Sequence, residues 1–376
     1  MHYAVLSAIP LPQNISKAMD AVPVDDVVKF IMRKFYLTSV LNRRQESVPD
    51  LSPEGINQER WECHTQRMIA DLLAPYNENS TDIAHMELDD RTDEGCKAYD
   101  QECVDCVKMP DGRIVPCTNY DFCGQYELYE GQVYRRSFGQ LRHRKRTKKA
   151  KKFLALPNYP FKRLYHTFDA FMRNYWGCEL QEETGRYGYY FNFNGKWDGW
   201  QIGGRWPLCF LVKDDCPSAV VGIPSPIFEE TPQWNTPDGY RWVAGARKDD
   251  IAWDTMRKLY HASAVERFHQ YEAWFSTGQI PDEYENRITI AEDGLVSYGD
   301  YLYHKGEDLK LHLKSLGLSE QNIYQANTFA YVDADGWAEQ GWGDSEHTYE
   351  EWSSMVSSFI ASLPGDTLLV SVDCHT

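Results

Sequence analysis

Eleven residues near the middle of the chain constrain it most: Lys196, Trp197, Asp198, Gly199, Trp200, Gln201, Ile202, Gly203, Gly204, Arg205 and Trp206. They bring together two cations, one carboxylate, three indoles and a Gly-Gly pair, a mixture that no solvated loop needs. Indoles favour burial, while charged groups resist it unless they are paired or bound. The two glycines remove the side chains that would hold the backbone away from a ligand or a neighbouring strand. The stretch therefore reads as the wall of a site. Two accounts of it stay open. In one, Lys196, Asp198 and Arg205 form an ion-pair network that orders a turn between strands. In the other, Arg205 and Lys196 hold a phosphate or carboxylate, the amides near Gly203 and Gly204 complete an anion site, and Trp197, Trp200 or Trp206 stacks on a base.

Length and composition allow a substantial core. The 376 residues suffice for one large domain or two moderate ones, and 42% hydrophobic with 14% aromatic content needs no covalent staples. No run of about 18 apolar residues exists, and the N-terminus lacks a basic region followed by an apolar stretch. The expectation is a cytoplasmic protein with no membrane partner. The net charge of -17 hides an asymmetry, because residues 135 to 152 carry ten Lys or Arg and no acid. The remainder has 29 basic against 56 acidic residues. Such a body repels phosphate backbones, so nucleic-acid contact would be local to the cationic arm or to a pocket with its own cations. The acidic surface could instead occupy the basic groove of a nucleic-acid-binding protein.

Hydrophobic periodicity places the elements. Residues 3 to 9 read as a buried strand. Val24 to Phe35 and Trp61 to Leu73 keep helical spacing, and residues 77 to 95 are acidic and irregular. Phe161 to Tyr175 reads as one unbroken helix ending at Gly177, and Gly185 to Asn194 as strands delivering the central motif, followed by a strand over 207–212. Residues 214 to 239, with five prolines, read as a long loop or lid. Trp253 to Phe275 and Tyr349 to Leu363 are helical in pattern, Leu309, Leu313 and Leu316 mark another helix, and Thr328 to Val332 and Thr367 to Asp373 are strands. The fold class expected is α+β: a mixed or antiparallel sheet holding the first, last and central-motif strands, with helices packed on it. Residues 1–95 and 153–376 would form the core domain, and 96–152 a small cysteine-rich insertion with a basic arm.

Within that insertion, Cys103 and Cys106 precede a turn at Pro110-Asp111-Gly112, then Cys117 and Cys123 follow. Two thiolate pairs around a short hairpin can hold a structural zinc ion, with Cys96, His85 or His64 able to replace a member of the second, widely spaced pair. The bland alternative is free, mostly buried thiols. The cationic arm, with Arg142, Arg144, Lys145, Arg146, Lys148 and Lys149, is either a solvated tail or a nucleic-acid contact. At the far end, Asp373 and His375 alternate onto one face of the last strand, where the carboxylate can orient the imidazole or both can bind metal. If that strand lies beside the central motif, His375 would act as a general acid or base opposite Arg205 and Lys196. No P-loop, nucleophile elbow, His-Glu-x-x-His or dinucleotide fingerprint is present.

Lys196-Trp197-Asp198 and Ile202 to Trp206, preceded by the aromatic run Tyr187 to Phe193, resemble a family of uncharacterised proteins found in phages and other mobile elements. Met1 to Val5, Leu73 to Asn79 and Val372 to His375 fit the same family. The chain departs from the family at Gly199, where an aromatic is usual. The resemblance implies a phage or mobile-element origin and no mechanism. The expected function is then an accessory protein that binds a nucleotide or nucleic acid, acting against or alongside host defence. The alternatives are a metal-independent nuclease or nucleotide-cleaving enzyme built from Lys196, Asp198, Arg205 and His375, and an acidic protein that blocks a host protein's basic groove.

Overall fold

The computed structural model describes residues 1–11, 15–37, 49–80, 86–136, 152–225, 236–277, 289–290, 295–298, 301–304, 308–318, 322–341 and 347–376. The basic arm from Arg142 to Lys149, His85, and Pro226 and Pro232 of the proline-rich stretch lie outside them. The chain is α+β and divides into two compact units, one of residues 1–78 with 194–376 and one of residues 79–193.

The larger unit is built on one mixed sheet. Its strands are β1 (His2–Ile9), β2 (Gly199–Gly204), β3 (Ile223–Pro224), β4 (Gly245–Arg247), β5 (Ala330–Asp333), β6 (Gly336–Glu339) and β7 (Leu368–His375). The path across the sheet is β3-β2-β7-β1-β5-β6, with β4 also paired to β7. β7 is the spine. It runs antiparallel to β1 along all eight residues, from His2 opposite His375 to Ile9 opposite Leu368. On its other edge it takes β2, with Gly199 opposite His375, and then β4, with Gly245 opposite Val370. A strand enclosed on both edges and both faces reads as a near-continuous apolar run, which is the pattern of Leu368 to Val372 with the buried Ser371 as its one polar member.

Side-chain alternation sends the two halves of these strands into different cores. Tyr3, Val5, Ile9, Ile202, Val370 and Val372 pack with Trp61, Ile69 and Leu73 of the helix α2 (Pro53–Leu73), which follows α1 (Val24–Phe35). Leu6, Ala8, Ala246 and Leu369 pack on the opposite face with Met256 of α3 (Trp253–Thr277) and Trp352, Val356 and Ile360 of α4 (Tyr349–Ser362). Each fully buried Leu, Ile or Val on these faces contributes about 1.5–3 kcal/mol.

The smaller unit holds three sheets. Met86–Asp90 and Glu179–Gln181 flank Arg186–Asn192; Ile114–Pro116 and Leu154–Pro160 flank Cys103–Lys108; and Tyr126–Tyr129 pairs Gln132–Arg135. It extends beyond 96–152, because the strand at 86–90 pairs with 186–192 and draws both flanks into this unit. The acidic residues after position 77 are thus not irregular: a strand is followed by the helix Thr92–Gln101. Nor is Phe161 to Tyr175 one helix. Tyr165 is extended, Thr167 caps a second short helix by accepting from the Ala170 N–H, and a π turn over Met172–Trp176 ends at Gly177 with φ +70°. The break lets Phe161, Tyr165, Phe168 and Phe171 converge around one small core instead of lining a stripe.

At the start of α4, Thr348 accepts from the Glu351 N–H while the Glu351 carboxylate accepts from the Thr348 N–H. This capping box satisfies two otherwise orphaned donors. Thr348→Ala is expected to lower stability by about 0.5–2 kcal/mol, read as a lower urea midpoint with an unchanged m-value; an unchanged midpoint would mean the helix end is held by its packing alone.

Candidate active site

At the end of the sheet where β1 begins and β2 and β7 run side by side, register alone assembles four polar side chains. His2 and His375 are direct cross-strand partners, a placement that brings Cβ atoms within about 4.5–5.5 Å. Their rings lie 4.7 Å apart, centroid to centroid, tilted by 60°. Asp373, two residues before His375, shares its face, and the residue opposite it on β1 is the small Ala4, which leaves room for His2 to reach across. Nδ1 of His2 is 2.9 Å from Oδ1 of Asp373. Asp198 stands at the entry to β2, where its N–H donates to the His375 carbonyl at 2.8 Å and its Oδ1 lies 2.7 Å from Nδ1 of His375.

The result is two carboxylate–histidine dyads, Asp373–His2 and Asp198–His375. With Nδ1 engaged by a carboxylate, each ring presents Nε2 outward, and neither Nε2 has a hydrogen-bond partner among the described residues. The His2 and His375 side chains are 33% and 46% exposed, so an outside molecule can reach both. Asp373 is the buried member, at 6%. A carboxylate removed from water needs partners on both oxygens, and its second one, Oδ2, accepts the Arg205 N–H at 3.0 Å.

That contact explains the Gly-Gly pair. Gly203 and Gly204 have φ of +78° and +51°, and a Cβ on Gly204 would lie 2.3 Å from the Cβ of Asp373. The Trp206 N–H closes the turn on the Gly203 carbonyl at 2.7 Å. The glycines serve the approach of a neighbouring strand's carboxylate, and the Arg205 amide beside them is used by that carboxylate. The Arg205 guanidinium is different: its Nε is buried with no hydrogen-bond partner among the described residues. Arg205 as a whole is half-buried, and its backbone, through the N–H on Asp373, is the part that meets the dyads.

The other motif residues take structural places. Lys196 is not beside Arg205; its Nζ bonds Glu339 of β6 at 3.2 Å, and its carbonyl accepts from the Tyr3 hydroxyl. Trp197 is core, 8% exposed, with Nε1 donating to the Leu73 carbonyl at 3.1 Å. The Leu73 to Asn79 segment meets the motif directly, since the Lys196 N–H donates to the Tyr76 carbonyl and the Glu78 N–H to that of Trp197. Trp200 and Ile202 face the α1–α2 side and line a cleft with Arg33, Glu62, Gln66 and Val220 that has room for about one water molecule, too little for a base. Of the three indoles, Trp206 alone stays both half-buried and adjacent to Arg205. Cys374 alternates to the opposite face, fully buried, its thiol pushed far up by burial and then by the Asp373 charge.

The four cysteines singled out for zinc are not arranged as two knuckles. Cys103 and Cys106 lie within one strand, with a bulge between Val104 and Cys106, Cys103 exposed and Cys106 buried. The Cys123 thiol donates to the Thr118 carbonyl at 3.4 Å. Among the described residues no group of three or more His, Cys, Asp or Glu side chains is placed to hold a metal ion. A strand sends successive side chains to opposite faces, whereas a knuckle turn converges its two thiols.

His2 escaped sequence reasoning, which began the first strand at Tyr3 and named His2 only in the opening segment of the resemblance. Its one signal was a histidine at the outer end of an apolar strand, mirrored by His375 at the end of another, and nothing local joins the two. No family model, curated protein or solved structure matches the chain. No helix among the described residues is long and apolar enough to cross a membrane.

Gly204→Ala is expected to destabilise by about 1–3 kcal/mol through its positive φ alone, and by more through the clash with Asp373, seen as a fall in urea midpoint; an unaffected midpoint would show that the turn can move off β7. Burial, and then the Cys117 and Asp105 charges, push the Cys106 thiol up to about 12, while burial and then Asp105 push Cys117 up to about 11. Both stay protonated at neutral pH, and only the thiolate attacks. Iodoacetamide at pH 7.5 should therefore modify exposed Cys96 and Cys103 well before Cys106 and Cys117, with or without a prior chelator. Chelator-dependent labelling, together with bound zinc in metal analysis, would support the zinc reading.

Proposed function

We propose that the chain is an acid–base catalyst that cleaves a phosphodiester in a nucleotide or nucleic-acid ligand without a metal ion, using His2 and His375 as the proton-transferring pair and Arg205 as the anion partner. The observation that carries this reading is the pair of adjacent, accessible imidazoles, each held through Nδ1 by its own carboxylate. Two such rings can divide the labour: a neutral one takes a proton from the attacking hydroxyl, and a protonated one gives a proton to the leaving oxygen. Asp198 and Asp373 are positioning residues. They fix tautomer and ring orientation and stabilise the imidazolium as it forms, as an orienting carboxylate does in a catalytic triad. Arg205, whose backbone is tied to Asp373, is the cation of the central motif with no ion-pair partner among the described residues, and its terminal guanidinium nitrogens would donate to the phosphoryl oxygens as negative charge builds there. Trp206 is the indole left to flank a base. Lys196 has no part in this chemistry.

The reading places the catalytic alternative ahead of simple binding, because a binding pocket has no use for two carboxylate-oriented imidazoles. It is indifferent to the phage or host-defence setting that the resemblance implies. One observation favours a second reading. The larger unit carries 21 basic against 39 acidic residues, an anionic surface suited to a protein's basic groove. That association would weaken steeply with salt and ignore His2 and His375.

Incubated with mixed single-stranded RNA and DNA oligonucleotides, the protein should release products in the presence of EDTA, with a bell-shaped pH profile from the need for one neutral and one protonated ring. His2→Ala and His375→Ala should each lower kcat/KM by roughly 10²–10⁴-fold while circular dichroism is unchanged. Asp198→Asn should shift the profile as well as lower the rate. Loss of cleavage in EDTA, or full activity in both histidine variants, would overturn the proposal; tight binding with no turnover would return the protein to a nucleotide-binding role.

A further inference from the structure

A displacement at phosphorus needs a nucleophile as well as a base, an acid and a charge partner, and the described site offers no nucleophile of its own. Cys374, between Asp373 and His375, is buried on the opposite face of β7. Ser371, further along the face of Asp373, is 2% exposed and sits beneath the carboxylate. Lys196 is held by Glu339. The carboxylates are committed as well: Asp373 has one oxygen on His2 and the other on the Arg205 N–H, and Asp198 holds His375. A covalent enzyme intermediate therefore has nowhere to form, and the attacking group is either water or part of the substrate.

Resting on the acid–base reading above, we infer that the nucleophile belongs to the substrate: a ribose 2′-hydroxyl adjacent to the scissile phosphodiester, so that the chain cuts ribonucleotide linkages by internal transesterification. Intramolecular attack has an effective molarity of roughly 10⁵–10⁸ M, which supplies what a lone imidazole acting on water lacks. The step balances without a co-reactant. The neutral Nε2 of one histidine takes the 2′-hydroxyl proton, the O2′–P bond forms, the P–O5′ bond breaks, and O5′ takes the proton from the protonated Nε2 of the other. The products are a 2′,3′-cyclic phosphate and a free 5′-hydroxyl; nothing is oxidised or reduced, and solvent exchange through the half-exposed rings resets the pair. The acidic surface of the larger unit disfavours long duplexes and points to short or single-stranded ribonucleotide segments.

The test uses the full chain and single-stranded DNA oligonucleotides carrying one ribonucleotide, in all sixteen flanking dinucleotide contexts. Matched strands are all-deoxy or carry a 2′-O-methyl group at that position. Cleavage 3′ to the ribonucleotide in at least one context is expected, ending in a 2′,3′-cyclic phosphate detected by mass spectrometry. The all-deoxy and 2′-O-methyl strands should be cut at least roughly 10³-fold more slowly, in keeping with the lost intramolecular nucleophile, and His2→Ala and His375→Ala should abolish cleavage. Histidine-dependent cutting of all three strands at similar rates, or products with no cyclic phosphate, would sink the 2′-hydroxyl inference and leave the acid–base reading standing. Absence of histidine-dependent cleavage in every context would sink both.

Discussion

The antiparallel pairing of β1 with β7 is the interaction on which everything else rests. It spans all eight residues of both strands, supplies the middle of the sheet, and sets His2 opposite His375. A slip of one residue would turn the apolar set of either strand onto the wrong core and would separate the two rings at the same time. Stability and site geometry are therefore one constraint. The Val5, Val370 and Val372 side that buries against α2 holds the register, and the register holds the histidines.

The central motif contributes to this frame chiefly as structure. Its chemistry divides between the two faces of the sheet because strand alternation divides its side chains. Trp197, Trp200 and Ile202 go to the α2 core, and Lys196 goes to Glu339. Asp198 and the Arg205 amide meet β7 on the side of the dyads. The expected ion-pair network among Lys196, Asp198 and Arg205 is replaced by contacts to other strands. No ion pair joins Lys196, Asp198 and Arg205 to one another among the described residues; Lys196 and Asp198 are answered from other strands, and Arg205 meets β7 through its backbone N–H. Asp373 shows why the buried polar part is so closely specified. A desolvated carboxylate with both oxygens engaged tolerates no displacement of the turn that donates to it, and Gly204 is the residue that lets this turn come near enough.

Much of the fold was legible in advance, for a physical reason. Long elements that bury one face leave a periodic imprint, so α1, α2, α3, α4, β1 and β7 were visible in apolar spacing. Errors fell where the imprint is weak or serves two geometries. The strand at 86–90 is rich in acid because much of it faces solvent. The aromatic spacing from Phe161 to Tyr175 fits a helix, yet the same side chains fill a compact core only with the chain broken at Tyr165. The spacing of Cys103 and Cys106 fits a knuckle and a strand alike, and the structure places both in one strand.

The amino-acid sequence by itself determined which segments form strands and helices, which faces are apolar, that Asp373 and His375 share a face, and that the Gly-Gly turn admits something close. These are properties of a few residues in a row, and local periodicity and backbone sterics carry them. Only the tertiary structure decided that the close neighbour is Asp373 and not a ligand, that Lys196 answers Glu339, and that His2 completes the site with His375. Those pairings join residues more than a hundred positions apart, and they follow from the strand order and register of the sheet, which the burial of both faces selects as a whole and no short stretch encodes.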